Sequence, residues 1–104
     1  MPLAERAKTM QERSLELVED HLAAGAARPS NTGSGSAFHA GRYHEGRAFV
    51  AAQVLRALHR GLSDADAVAA AGQRWQRMTG RSRSGEEWAA YRSGGDDALR
   101  DLGG

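Results

Sequence analysis

GQRWQRMTGRSRSGEEWAAYRSG, residues 72–94, holds both tryptophans and five of the thirteen arginines of a 104-residue chain. Two helix-forming segments flank a basic turn, residues 80–85. Such a stretch reads either as a DNA-reading helix-turn-helix or as the hairpin core of a small helical protein. On a helical wheel Val68, Ala71, Gly72, Trp75 and Met78 fall on one side, with Arg77 pointing away and Arg74 flanking. Trp88 and Tyr91, three apart, also share a face. The pattern predicts a hairpin with Trp75, Trp88 and Tyr91 buried at its joint and Gly72 permitting close approach.

The helix-turn-helix reading has a defect. A recognition helix presents its N-terminus to the groove, yet this one opens with Glu86 and Glu87. Carboxylates there repel phosphates, whereas they stabilise the positive end of their own helix. Arg74, Arg77, Arg81 and Arg83 still form a basic elbow, and they are the candidate nucleic-acid contacts.

Outward from the hairpin, helical spacing and end signals place the remaining elements. Ser63, followed three residues later by Asp66, resembles a capping box for the third helix, which runs to Thr79 and is stopped by Gly80. Ser84 with Glu87 forms a proper box for the fourth, which is expected to end before Gly94-Gly95. A short turn, Asp96 to Leu102, would then pack Leu99 and Leu102 back on the body. The second helix starts at His39 or Arg42 and ends at Arg60, with Gly61 as terminator. Tyr43, Val50, Val54, Ala57 and Leu58 form its apolar stripe.

The first helix spans Leu3 to Ala24. Leu3, Ala7, Met10, Ser14, Leu17, Val18 and His21 recur at three- and four-residue spacing, opposite Glu5, Glu12, Glu16, Glu19 and Asp20. Residues 25–36, GAARPSNTGSGS, read as a flexible tether, in which Pro29 disfavours a helical Arg28. The reading is thus an all-α fold: an amphipathic arm (1–24), a tether (25–36) and a compact three-helix body (37–104).

Composition bounds the rest. Apolar residues make up 40% of the chain, but twenty of them are alanine and none is isoleucine. A chain this short buries only about 60–65% of its unfolded surface, and alanine adds little at about 25 cal/mol per Å². Such a core is marginal alone and favours completion by a partner or by another copy. Thirteen arginines against one lysine also match a GC-rich coding bias, so arginine number alone carries little. The net charge of +1 does not by itself imply nucleic acid or an acidic membrane. Charge is nonetheless segregated: residues 37–83 hold eight arginines against three acids, between acidic ends.

Several chemistries are set aside. With no cysteine, disulfides and thiolate metal sites are excluded. His39 and His44 are five apart, and Ala48 stands where a His-Glu-x-x-His motif needs its second ligand. No metal and no cofactor are expected. GRSRSGEE, residues 80–87, has phosphate-loop glycine spacing without the Lys and Ser/Thr that bind phosphate and magnesium. No stretch approaches the roughly 18 apolar residues of a membrane span, and the start of the chain lacks a signal-peptide block. A cytoplasmic, non-enzymatic protein is expected, with an enzyme whose site is assembled from several chains as the minor alternative.

A second surface lies on the second helix. Phe49 falls on its polar side with Gln53, Arg56 and Arg60, and Phe38 and Arg42 extend that line if the helix begins early. An aromatic ring among arginines suits an acidic amphipathic helix of a protein partner or of another copy. It also suits nucleic acid, by stacking on bases. The first expectation is therefore an assembly protein that self-associates or docks on a partner through its arm and this face. Nucleic-acid binding through the elbow is the alternative.

Overall fold

The computed structural model describes residues 2–26, 34–80 and 85–103, without the side chains at 21, 22, 24–26, 34–40, 86 and 87. Among them the chain is all-α: α1 (Leu3–Ala26), α2 (Ser34–His59), α3 (Asp64–Thr79) and α4 (Glu86–Gly103). Helix α1 is followed by the segment 27–33, which lies outside the described residues, and α2, α3 and α4 form a compact three-helix body.

End signals act locally, and two of them hold as expected. Gly61 adopts a φ of 91°, the left-handed conformation that glycine tolerates best. Its N–H donates to the Leu58 carbonyl and the Leu62 N–H to that of Ala57, a Schellman closure of α2. At the next start, the Ser63 hydroxyl accepts from the Asp66 N–H at 3.2 Å, satisfying one orphan donor of the first turn. The proposed Ser84–Glu87 box falls outside the described residues.

Three boundaries differ from expectation, the smallest difference being at α1, which runs to Ala26 rather than Ala24. Helix α2 begins at Ser34, so the end of the predicted tether is helical. Glycine and serine are poor formers, but extending an existing helix gains one hydrogen bond per residue, and only nucleation is costly. The larger difference is α4, which runs unbroken through Gly94-Gly95 to Gly103. Those glycines are buried packing positions. A Cβ on Gly94 would overlap the Tyr43 carbonyl, and one on Gly95 would enter the Trp75 ring. Opposite them, a Cβ on Gly46 would meet the Tyr91 carbonyl. Backbones of α2 and α4 therefore touch where no side chain intervenes. Gly72, expected to serve this purpose, has only Leu99 Cδ2 nearby, at an ordinary 3.7 Å.

Helix α2 is the axis of the molecule. Ala48, Val50, Ala51, Val54 and Ala57 are all buried, so it is enclosed on more sides than one apolar stripe provides. Tyr43 and Arg47, one turn apart, bond Asp97 and Asp101, also one turn apart, which sets α2 and α4 parallel. Helix α3 packs against both and inserts Trp75, 1% exposed, against Phe49 and Tyr91 at ring-centre distances of 5.8 and 5.1 Å. Trp88 stacks on Tyr91 at 5.5 Å, so the three aromatics cluster as predicted, but only Trp75 is fully buried while Trp88 and Tyr91 stay half-exposed. Leu102 is buried, and Leu99 packs on the same core.

Helix α1 docks on α2 with Leu3, Ala7 and Ser14 buried and Met10, Leu17 and Val18 half-buried. Its acidic face is exposed. The Arg6 guanidinium donates to the Asp101 and Leu102 carbonyls at 3.3 and 3.4 Å, placing a cation on the negative end of α4. No helix among the described residues is long and apolar enough to cross a membrane.

Candidate functional site

The predicted basic-aromatic line on α2 does not form one free surface. Phe49 is turned inward and half-buried on Trp75, because α3 packs against the side of α2 that periodicity marks as polar. Arg42 bonds Glu45 at 2.8 Å, Gln53 is half-buried, and only Arg56 and Arg60 are well exposed. The side chain of Phe38 lies outside the described residues. At the elbow, Arg74 and Arg77 are exposed on α3 beside Gln73 and Gln76. Arg81 and Arg83 lie outside the described residues.

The described arginines fall into two groups. Arg13, Arg42, Arg47 and Arg100 pair with carboxylates, and Arg6 caps α4. Arg56, Arg60, Arg74, Arg77 and Arg92 make no ion pair or hydrogen bond among the described residues. Those at the end of α2 and on the outer face of α3 thus present bare guanidinium groups to solvent. An unpaired guanidinium keeps its full set of donors for a carboxylate or phosphate ligand.

Where α2 meets α4, a polar network replaces apolar packing. The Tyr43 hydroxyl donates to Asp97 at 2.5 Å, and Arg100 holds the other Asp97 oxygen at 2.5 Å. Arg47 bonds Asp101 at 3.0 Å and lies 5.9 Å from the Tyr43 ring centre. The Tyr43 bond, with Arg100 adding to it, holds the Asp97 carboxyl below its usual range, against the opposing effect of burial. Tyr43 itself is pushed up, first by burial and then by its bond to Asp97. Burial likewise raises Tyr91, and the charge of Glu45 adds to it. Asp96 accepts from the Trp75 indole at 2.9 Å, fixing the ring that fills the core. Each carboxylate here is held by a structural donor, so the network fastens helices together.

The sequence reading missed a groove between α1 and α2, with a cavity of about 390 Å³. Arg6, Arg13, Arg47 and His44 supply its polar wall, Met10 and Leu17 its apolar lining, with Thr9 and Ser14 between them. None of its lining residues is acidic. Such a wall suits an anionic or acid-rimmed apolar ligand and repels cations. His44 is thus among arginines, an unfavourable setting for a metal ion. No linear signal could group these residues, since they come together only when α1 takes its place on α2. Comparison with protein-family models, curated proteins and solved structures finds no match to this chain.

Proposed function

We propose that this chain is a non-enzymatic interaction module that self-associates or docks on a partner protein. The observation that carries this reading is a thin core: among the described residues most buried apolar positions are alanine, which leaves little area to stabilise a body on its own.

Among the described residues the largest fully buried side chains are Trp75, Val50 and Val54, and most of the remaining core is alanine. The amphipathic arm is already docked in cis, so it takes part in assembly either through its outward surface or by exchange between copies through residues 27–33. The contacts it would exchange are modest, with Leu3, 3% exposed, as the one large buried apolar side chain among the described residues of α1. Sedimentation velocity from the low to the high micromolar range tests the proposal. A rise in mass with concentration is expected. A monomer throughout, melting cooperatively as one unit and recovering no partner from its native extract, would overturn it.

A second reading, nucleic-acid binding, is favoured by the unpaired Arg74 and Arg77 on the exposed face of α3. If that face neutralises two phosphates, Arg74→Ala/Arg77→Ala should reduce the log–log salt slope by roughly 2 and weaken all sequences alike. No binding to duplex or single strands at low salt removes this reading.

A further inference from the structure

Helix α1 carries a second feature that pairs with its groove. Leu15 is the one exposed large hydrophobic side chain among the described residues, at 48%. Glu12, Glu16 and Glu19, all exposed, surround it at positions one turn or one residue away. A lone exposed leucine is ordinary, but this one is an apolar knob inside an acidic rim. The α1–α2 groove is its chemical complement, an apolar lining formed by Met10 and Leu17 within a wall of Arg6, Arg13, Arg47 and His44. We propose that the groove of one copy receives the Leu15 knob of a second copy, joining the molecules head to tail. This inference rests on the self-association reading.

Three observations select this occupant. The groove walls are cationic and acid-free, whereas the rim of the knob carries three carboxylates. Arg13, the most exposed groove arginine, is held only by Glu16 at 3.5 Å, with side chains 70% and 65% exposed. A pair so solvated contributes little and exchanges partners at small cost. The Leu15 side chain and the groove lie on opposite sides of α1, since Leu15 is about half a turn from Arg6, Met10, Arg13 and Leu17. Leu15 therefore cannot enter the groove of its own molecule, where only Glu16 of its rim reaches Arg13, and one two-fold contact cannot engage both. A contact between unlike patches propagates, giving a ring if its rotation closes and a chain if it does not.

Two sets of variants test the pairing by sedimentation velocity at concentrations where the parent assembles. Leu15→Glu removes the knob and leaves the groove. Thr9→Glu/Arg13→Glu blocks the groove rim at two exposed positions and leaves the knob. Each variant alone is expected to lose assembly, with its association weakened about tenfold or more. An equimolar mixture should form a heterodimer and stop there, because only one knob and one groove remain intact. Formation of that heterodimer also shows that both variants are folded. The pairing is overturned if either variant assembles like the parent, or if the mixture stays monomeric while both variants retain parental helicity by circular dichroism. In those cases parental self-association still stands. A parent that is monomeric at every concentration removes both the pairing and self-association.

Discussion

Alanine at two glycines of this protein should move stability in opposite directions. Gly72 and Gly94 both lie inside helices, so either replacement removes the glycine penalty of about 0.8–1 kcal/mol. At Gly72 the new methyl meets Leu99 Cδ2 at 3.7 Å, ordinary contact. Gly72→Ala should therefore stabilise by up to about 1 kcal/mol. At Gly94 the methyl overlaps the Tyr43 carbonyl, which is backbone and cannot rotate aside. Helices α2 and α4 must part by roughly 1 Å or more to restore a normal contact near 3.5 Å. Overpacking of this kind costs about 1–3 kcal/mol, sometimes more. The separation also stretches the Tyr43–Asp97 and Arg47–Asp101 bonds across the same seam. A net destabilisation of about 2 kcal/mol is expected, so the two variants should differ by roughly 3 kcal/mol. For a chain this size that separates their melting temperatures by about 12–24 °C. Urea unfolding followed by circular dichroism, at one protein concentration, measures the difference directly. If Gly94→Ala matched or exceeded the parent in stability, the close α2–α4 crossing described above would be wrong.

Tyr43→Phe removes the donor to Asp97 and should cost about 1–2 kcal/mol at neutral pH. Asp97 has a lowered pKa in the fold, so its stabilising contribution is present above the unfolded carboxylate value and is lost as pH falls through the lowered folded value. The difference between Tyr43→Phe and parent should therefore shrink below about pH 4; a constant difference at pH 7 and pH 3 would count against this bond. Phe49→Ala should destabilise the monomer itself by about 2–3 kcal/mol, short of a fully buried phenylalanine, because the ring packs on Trp75. Near-parental unfolding of Phe49→Ala would return that ring to the surface role read from periodicity.

The elements that local chemistry dictates were legible in the sequence. Ser63 and Gly61 act through their own backbone neighbours, so the start of α3 and the end of α2 follow from a few residues. The apolar stripe of α1 and the aromatic joint of Trp75, Trp88 and Tyr91 follow from helical spacing, which specifies a face without needing to know its partner. What such spacing omits is how many neighbours a helix has. Three helices pack around α2, and that enclosure draws Phe49 inward from a position that a single stripe assigns to solvent. Gly94-Gly95 was misread for the same reason. Alone, paired glycines end a helix, because their backbone entropy is unrewarded; against the Tyr43 carbonyl and the Trp75 ring they are the residues that let two backbones meet. The Tyr43–Asp97 bond and the groove of Arg6, Arg13, His44 and Arg47 join residues tens of positions apart. Docking geometry alone could bring them together, since no periodicity within one helix encodes the position of another.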